Sequence, residues 1–295
     1  MPDAVGCAFL YLETALHVGT SQQGYAIDLP IERDASGAPV IPANTLRGSV
    51  LATARKRRDK DEITWAFGSP PGSDMEKEGV LTFNPCQILL FPVRTYKGVF
   101  AWITSPQWLS AWQTAVGECG REGSMVSVPE PGDHEAVVAP QAPVLTESRT
   151  LIIEDFSFPV REAAEVAALG EWFGRHAMPQ DSSYQFFRER LQNALVVLPD
   201  DVCRFLLRHR VPVTRRVAIN PQTGVAEEGA LWTEEFLPSE TLFHTLIGTE
   251  NRDTPPPVPV NGVSWLKQLE LKHLQVGANR TLGDGFVRWT WLNGG

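Results

Sequence analysis

The segment that most constrains the fold is a short apolar run near the start, CAFLYL at residues 7–12. In a strand, alternate side chains point to opposite faces. Three side chains would therefore lie on each face: Cys7, Phe9 and Tyr11 on one, and Ala8, Leu10 and Leu12 on the other. Because both sets are apolar, the pattern predicts a buried, central strand.

A helix is predicted next, in the stretch VIPANTLRGSVLATARKRRDKDE at residues 40–62. Asn44 or Thr45 can cap its start, because a short polar side chain accepts a hydrogen bond from a free backbone N–H. Leu46, Val50 and Leu51 then recur at helical spacing and predict the buried stripe.

The remaining elements complete an α+β pattern. Ser105 and Pro106 predict the start of a second helix. Two or three helices are expected within residues 161–209, and a hairpin around the turn at 220–224. A helix at about 262–274 and a strand at 286–292 close the chain. This order predicts an α+β sheet with helices on one face and large insertions.

The composition excludes several protein classes. With 43% apolar and 21% charged residues, the chain resembles an ordinary soluble protein. No apolar run approaches the roughly 20 residues that span a bilayer, and the start lacks the features of a secretory signal. The four cysteines match neither a zinc spacing nor a disulfide framework. We therefore expect a cytoplasmic protein without membrane attachment.

The charge is distributed unevenly along the chain. The net charge of −9 argues mildly against a nucleic-acid partner, but residues 44–60 contain six basic side chains and one acid. A basic face on an acidic body can hold a polyanion, because screening limits binding to nearby charges. Arg47, next to the predicted helix start, suits a phosphate. For Arg57, Arg58 and Lys60 we favour a solvated helix end.

Two loops hold candidate sites, each with a structural alternative. In the closing loop VGANRTLGDG, glycines surround Arg280 and Thr281. Such a loop can bring backbone N–H groups close to a phosphate, or it can be a plain turn. In HVGTSQQGYAIDLPIERDASG, the single acid Asp28 lies in a glycine-bracketed segment, where it can act chemically or cap a turn.

The usual catalytic motifs are absent from the sequence. We find no nucleophile elbow, P-loop or HExxH motif. The histidines share no metal-ligand spacing, so structural histidines are the simpler interpretation. Spacing alone therefore leaves the function open.

Four blocks together resemble the RAMP superfamily, and within it the repeating backbone subunits of type III-B CRISPR effector (Cmr) complexes. In chain order they are ALHVGTSQQGYAIDLPIERDASGAPVIPANTLRGSV, ILLFPVRTYKGVFAWITSP, RRVAINPQTGVAEEGALWTEEFLP and GANRTLGDGFVR. The resemblance covers essentially the whole chain. The IDLPI and PVR…KGVFAW blocks are specific, whereas the glycine loop alone would indicate only the superfamily.

The resemblance implies a fold and an assembly. We expect a single RAMP domain over residues 1–295, with a modified ferredoxin-like (RRM-like) palm from 1–116 and 262–295. Helical insertions would occupy 117–210, and a β-hairpin thumb about 211–240. Copies would stack head to tail along a CRISPR guide RNA with other type III-B subunits, and would cut the paired single-stranded target RNA at regular intervals.

The same resemblance assigns the chemistry to Asp28. A lone carboxylate cannot run two-acid or two-metal chemistry, but RNA carries its own nucleophile, the 2′-hydroxyl. If the thumb displaces a target nucleotide, the 2′-hydroxyl can line up with its phosphate. Asp28 could then hold a hydrated Mg²⁺ or Mn²⁺ that stabilises the charge. Cyclic 2′,3′-phosphate ends would follow.

The resemblance also implies RNA-binding positions. They are His17, Asn44, Thr45, Arg47, Arg94, Lys97, Gly277, Arg280, Thr281, Gly283 and Gly285, and the thumb turn is Asn220, Pro221, Gln222, Thr223 and Gly224. We expect His17 to contact RNA rather than to catalyse. The chain departs from the family pattern at Ala278, where a second glycine is usual, at Pro85, where an acid is usual, and at Arg47, which is often lysine.

Two other functions stay open at this point. The chain could be a purely structural backbone subunit that binds guide RNA and leaves cutting to other proteins. It could also be a guide-RNA processing enzyme of the same superfamily, although the Asp28 motif and the PVR block count against that.

Overall fold

The computed structural model describes residues 4–20, 26–70, 72–73, 76–120, 126–220, 222–250 and 257–292. The helices are α1 (Ala43–Ala54), α2 (Lys60–Phe67), α3 (Pro106–Glu118), α4 (Ala164–His176), α5 (Gln185–Ala194), α6 (Asp200–His209) and α7 (Gly262–Lys267). The strands are β1 (Ala4–Leu12), β2 (Val40–Ile41), β3 (Leu81–Phe83), β4 (Cys86–Arg94), β5 (Phe100–Thr104), β6 (Ala136–Val138), β7 (Leu151–Ile153), β8 (Phe156–Phe158), β9 (Val160–Glu162), β10 (Leu195–Val197), β11 (Val213–Ile219), β12 (Ala226–Glu235), β13 (Leu242–Thr249), β14 (His273–Gln275) and β15 (Phe286–Trp291).

One large mixed sheet organises the fold. Its strand order is β14-β15-β1-β13-β4-β5-β10-β6-β9, with β2 paired to β4 and β3 to β13. Most pairs are antiparallel, but β10 runs parallel to β5 and β6 parallel to β9. The first strand lies between β13 and β15, with Phe9 opposite His244 and Leu10 opposite Trp289. The prediction of a buried, central first strand is confirmed.

Buried side chains cover both faces of this sheet. Leu10 and its neighbours on one face of β1 belong to a core with α1, α2, α6 and α7. Phe9 and its neighbours on the other face belong to a second core with α3, α4 and α5. The prediction of helices on one face is therefore wrong: the strand's two apolar faces each bury area against helices. Neither face of the central strands is open to a ligand.

The starts of two predicted helices illustrate what capping rules predict. Ser105 caps α3 by accepting from the Trp108 N–H (3.4 Å), with proline at the first position, as expected. At α1, the prediction of an Asn44 or Thr45 cap is wrong. The extended backbone of Pro42 is the cap, and its carbonyl accepts from Leu46 N–H (3.1 Å). The Asn44 side chain instead accepts from Thr45 N–H (2.8 Å).

Two other sequence boundaries differ in the structure. The helix expected over 262–274 ends at Lys267, and residues 273–275 form strand β14. Carbonyls just beyond that helix end, at Gln268 and Leu269, accept hydrogen bonds from Arg58 and Arg57. The expectation that these two arginines form a solvated helix end is therefore wrong. Residues 117–138 are rich in glycine, proline and acids, which predicts an exposed insertion. Strand β6 within this segment is instead buried, because it pairs with β9 and β10.

The hairpin forms outside the main sheet. Strands β11 and β12 pair antiparallel as a separate two-stranded sheet, with Val217 opposite Leu231. Both of these side chains are exposed, 44% and 67%, so the middle of the hairpin projects from the body. In its turn, Asn220 Oδ1 accepts from the Gln222 and Thr223 N–H groups. Pro221 lies outside the described residues.

None of the helices in the described part of the chain is long and apolar enough to cross a membrane.

Candidate functional site

Asp28 is fixed to the base of the hairpin. Its Oδ2 accepts hydrogen bonds from the N–H and the hydroxyl of Thr233, at 2.7 and 2.8 Å. The same hydroxyl accepts from the Asp28 N–H at 3.0 Å. The residue is exposed, and no hydrogen bond to Oδ1 is found among the described residues. Within the described residues, the carboxylate therefore has one oxygen anchored by Thr233 and one without a hydrogen-bond partner.

These contacts fix the protonation state of Asp28. The Thr233 N–H and, next, its hydroxyl stabilise the anion and lower the pKa of the carboxyl below its usual value. The group is therefore ionised at neutral pH. It can attract a cation or orient a donor, but it cannot serve as a general acid there.

The backbone around Asp28 runs parallel to β12 and is bridged to it between Leu29 and Glu234. Leu29 N–H donates to Thr233 O, and Glu235 N–H donates to Leu29 O, both at 3.0 Å. The buried Glu235 side chain accepts from Ile31 N–H (3.0 Å) and pairs with Arg33 (3.3 Å). Residues 28–31 are thus tied to the hairpin at several points, which explains how a short loop holds its acid in one place.

A buried ion network lies on the opposite side of β12. The Glu234 carboxylate, 3% exposed, pairs with Arg216 Nε at 2.5 Å and accepts from Asn279 Nδ2 at 2.8 Å. Arg216 also pairs with Asp284 at 3.3 Å. Because Asn279 and Asp284 belong to the closing loop, this network joins that loop to the hairpin. Loss of one partner from such a network leaves a buried charge uncompensated.

His17 lies beside this network and is buried. Its Nδ1 is 2.8 Å from the Glu235 carbonyl oxygen, and its Nε2 is 3.6 Å from the Glu234 carboxylate. The ring packs against Phe236 with centroids 5.6 Å apart. The contact of His17 with RNA stays a prediction. Its side chain contacts the hairpin base, and its backbone carbonyl accepts from the Ala278 N–H of the closing loop at 3.0 Å.

Two of the closing-loop glycines are required by the protein backbone. Gly277 and Gly285 both have positive φ, at +72° and +78°. A Cβ on Gly277 would overlap the His17 carbonyl oxygen, and one on Gly285 would overlap the Val276 carbonyl oxygen. The fold itself therefore requires residues without a side chain at positions 277 and 285. Only Gly283, at φ +88°, has open space where a Cβ would lie.

The exposed part of the closing loop is a single 3₁₀ turn, Arg280–Leu282. Arg280 and Thr281 are both exposed, and Leu282 is 62% exposed. The Arg280 guanidinium has no ion pair within the described residues. A cation and a small hydroxyl thus project from a loop that is rigidly attached to the Asp28 region.

Arg47 lines a basic cleft between α1 and α2. Its Nη2 donates to the carbonyl oxygen of Phe67 (2.5 Å), and it begins the second turn of α1 rather than lying in the first. The cleft has a volume of about 470 Å³, and four cationic side chains line it: Arg47, Arg55, Arg58 and Lys60. Among the described residues that line the cleft, Asp59 is the one acid. Asn44 is exposed and Thr45 half-buried at the start of the same helix.

The other predicted RNA-binding cations lie at the turn between β4 and β5. Arg94 makes a two-point ion pair with Glu154, at 3.1 and 2.7 Å. Lys97 is exposed beside Tyr96, whose side chain is 80% exposed. An RNA contact by Arg94 would have to share the guanidinium with Glu154.

The donor set fits only one kind of metal binding. No group of three or more metal-binding side chains occurs in the ranges that the structure describes. Glu234 and Glu235 are buried in ion pairs, so of the three described acids at the hairpin base Asp28 is the one with a carboxylate oxygen, Oδ1, free of a described partner. One carboxylate oxygen suits a hydrated Mg²⁺ or Mn²⁺ that takes its remaining ligands from water and RNA phosphate. A closed protein cage does not fit.

Sequence reasoning missed the residues that hold Asp28 in place. Thr233, Glu234 and Glu235 lie in a segment, residues 227–235, that reads only as acidic. Acids are rarely buried, so nothing in this segment marks Glu234 and Glu235 as buried residues. The partners of Thr233 and Glu235 are 205 and 204 residues away along the chain, so these contacts could not be found by spacing.

Comparisons with known proteins agree with this architecture. A profile of the RAMP superfamily matches residues 9–288. The CRISPR system Cmr endoribonuclease Cmr4 of Pyrococcus furiosus is 30% identical over 294 residues, covering 95% of this chain and 93% of that protein. Among solved structures, oligomeric Cmr4 from Pyrococcus furiosus superposes with a TM-score of 0.73 at 24% identity, covering 99% of this chain and 98% of that one.

A second solved structure has the same fold at lower identity. It is a chain of the type III-B Cmr-beta complex bound to cognate target RNA, with a TM-score of 0.74 at 18% identity and coverage of 99% of this chain and 98% of that one. The superfamily match spans nearly the whole chain, and the curated relative is similar over nearly its full length. The chain therefore belongs to the RAMP superfamily and, within it, to the Cmr4 family.

Proposed function

We propose that this protein is a guide-RNA-binding backbone subunit of a type III-B CRISPR effector complex, and that it cuts the paired target RNA with Asp28. The observation that carries the proposal is the carboxylate held by Thr233 with one oxygen open, at the base of a projecting hairpin. The name of the Pyrococcus furiosus relative, an endoribonuclease, supports the activity. The solved complex with target RNA supports the assembly.

The reaction can use the RNA's own nucleophile. The 2′-oxygen of the target nucleotide forms a bond to its 3′-phosphorus, and the bond from phosphorus to the next 5′-oxygen breaks. The proton leaves the 2′-hydroxyl and a proton returns to the 5′-oxygen, so the products are a cyclic 2′,3′-phosphate and a 5′-hydroxyl. In-line alignment of the two oxygens supplies much of the acceleration.

Asp28 contributes charge rather than proton transfer in this proposal. It is ionised at neutral pH, so its open oxygen can hold a hydrated Mg²⁺ or Mn²⁺ next to the reacting phosphate. When bound, the cation would offset negative charge on the phosphate and the leaving oxygen. The hairpin would displace the target nucleotide whose phosphate is cut, which places the thumb turn and Asp28 on the same substrate.

Guide binding would use surfaces away from Asp28. The basic cleft at Arg47 offers four cations to a sugar–phosphate backbone, and Arg280 and Thr281 project from the closing loop. His17, Asn44, Arg94 and Lys97 stay predicted contacts. Because both faces of the sheet are covered, we expect RNA along helix ends and loops rather than across the strands.

The finer architecture and the location belong to the same proposal. We infer a modified ferredoxin-like palm with the hairpin as its thumb, and the separate two-stranded sheet of β11 and β12 supports the thumb. Copies of the chain would stack along the guide, which the oligomeric structure of the relative supports. Cys7, Cys86 and Cys203 are buried thiols, which fits the reducing cytoplasm.

A purely structural backbone subunit is the competing function. Arg33, Glu234 and Glu235 show that the acids near Asp28 are used to hold the fold, and Asp28 itself could do the same for the hairpin. The Oδ1 atom has no hydrogen-bond partner among the described residues, so Asp28 can hold a cation while Thr233 anchors it, which supports the catalytic function.

One experiment separates the two functions. The complex is reconstituted with Asp28→Ala, and labelled target RNA is followed in Mg²⁺ alongside guide and target binding. We expect binding to persist and all regularly spaced cuts to vanish. Unchanged cutting at every position would leave the structural function.

A further inference from the structure

We infer that Thr233 is a positioning residue for Asp28, and that the hairpin sets the orientation of the carboxylate through it. This inference rests on the proposed function. It assigns a role to a hairpin side chain that would not itself touch the RNA or a metal.

The geometry gives Thr233 three contacts with one residue. Its N–H and hydroxyl both donate to Asp28 Oδ2, at 2.7 and 2.8 Å. Its hydroxyl also accepts from the Asp28 N–H at 3.0 Å. Two donors on the same oxygen, together with a fixed backbone N–H, restrict rotation of the Asp28 side chain. Oδ1 is thereby kept as the oxygen available to a substrate.

The single hydrogen of the Thr233 hydroxyl is used in these contacts. The hydroxyl donates to Asp28 Oδ2 and accepts from the Asp28 N–H. The side chain is half-buried and carries no charge, so it cannot donate to an outside ligand while it holds Asp28. A structural role in the hairpin alone would not require this pairing, because β11 and β12 are joined by backbone hydrogen bonds at this level, with Arg215 opposite Thr233.

The backbone beside Asp28 is attached to the same strand as Thr233. Leu29 N–H donates to Thr233 O, and Glu235 N–H donates to Leu29 O, so Leu29 is bridged to β12 itself. The position of Asp28 is therefore set by the base of the hairpin through its backbone as well as through its side chain.

The test uses a substitution that removes only the hydroxyl. Thr233→Val keeps the branched shape and the backbone N–H, so strand pairing persists, while two hydrogen bonds to Asp28 are removed. Thr233→Ser restores the hydroxyl. Thr214→Val makes the same change on β11, at an exposed position. Thr233→Ala serves as a second variant without the hydroxyl if the valine variant does not fold.

The reconstituted complexes are compared by single-turnover cutting of target RNA across pH and across Mn²⁺ concentration. We expect Thr233→Val to slow cutting about tenfold or more, because a hydrogen bond to a charged group is removed. We also expect the acid limb of its pH profile to move to higher pH and its Mn²⁺ midpoint to rise. Guide and target binding should be unchanged, and Thr233→Ser and Thr214→Val should behave like the unmodified chain.

The outcomes separate this inference from the proposed function. If Asp28→Ala cuts normally, the proposed function is wrong. The positioning role alone is overturned by a different result. In that case Asp28→Ala is inactive, but Thr233→Val has the same cutting rate, acid limb and Mn²⁺ midpoint as the unmodified chain. An equal loss in Thr233→Ser would also overturn it, since the hydroxyl would then not be the cause.

Discussion

A Cβ on Gly285 would overlap the carbonyl oxygen of Val276, and the two residues are joined by a hydrogen bond from Val276 N–H to Gly285 O (2.9 Å). Gly285 also has φ +78°, in the left-handed region that favours glycine. The two ends of the closing loop are therefore in direct contact at this point. At Gly277 and Gly285 a Cβ would overlap the backbone, whereas at Gly283 it would meet open space, and substitution can distinguish the two cases.

The first prediction contrasts Gly285→Ala with Gly283→Ala. Gly285→Ala should lower the free energy of unfolding by about 3 kcal/mol or more, because it adds overlap to backbone strain. Gly283→Ala carries strain alone, since its Cβ would meet open space, and should cost about 1 kcal/mol. Urea denaturation of the full chain measures both. Equal losses would show that the space around the two glycines does not differ as described.

The second prediction concerns the basic cleft. Replacing Arg55 and Lys60 by alanine removes two of its four cations. Guide binding should weaken to a similar extent for all guide sequences, and the slope of log K against log salt should become shallower by about 0.7 for each phosphate that is no longer neutralised. Filter binding at several salt concentrations measures this. Arg204→Ala, at an exposed position on α6, controls for charge alone. A loss that depends on guide sequence would contradict binding to the sugar–phosphate backbone.

The third prediction concerns the hairpin turn. Shortening residues 220–224 to a two-residue turn should reduce target cutting while guide binding persists, because the projecting hairpin would no longer displace a target nucleotide. The base of the hairpin, where Thr233 and Glu234 make their contacts, is left unchanged. Cutting and guide binding are measured on the same reconstituted complex. Loss of guide binding would mean that the turn holds the guide instead.

The fourth prediction is a pH dependence of stability at Glu240, between β12 and β13. Burial raises the pKa of this carboxyl from 4.5 to about 7, and its Oε2 has no hydrogen-bond partner within the described residues. The folded chain therefore binds a proton that the unfolded chain releases, so stability falls as pH rises through this interval.

Glu240→Gln removes the titrating group. The variant should be more stable than the unmodified chain at about pH 8, and the gain should shrink at about pH 4.5. Urea denaturation at both pH values measures it, with the exposed Glu227→Gln as the control for the removal of one charge. A gain of equal size at both pH values would contradict the pKa assignment.

Local rules predicted the parts of this fold whose causes are local. Alternating apolar residues located β1 and β15, and Ser105 with Pro106 located the start of α3. The cap of α1 was missed because Pro42 is extended, so the helix begins before the polar side chains at Asn44 and Thr45. The sequence does not predict the end of α7, because the donors to the carbonyls that follow it, Arg57 and Arg58, come from elsewhere in the chain.

The candidate site shows the same limit more sharply. The lone acid Asp28 could be identified from its segment and from the family resemblance. Its anchor Thr233 and the buried pair of Glu234 with Arg216 depend on how the hairpin base meets the closing loop, which no spacing encodes. Contact with the chain's own carbonyls requires glycine at 277 and 285, and the contact of these residues with a phosphate stays a prediction.

The most direct test is the position of Asp28 in the assembled particle. The complex is solved with guide RNA and a target that carries 2′-deoxyribose at each cutting position, so that the strand stays intact. We expect Asp28 Oδ1 within about 5 Å of the scissile phosphate, directly or through one metal ion. A carboxylate more than about 10 Å from every target phosphate, outside the span of one bridging metal ion, would contradict the catalytic role.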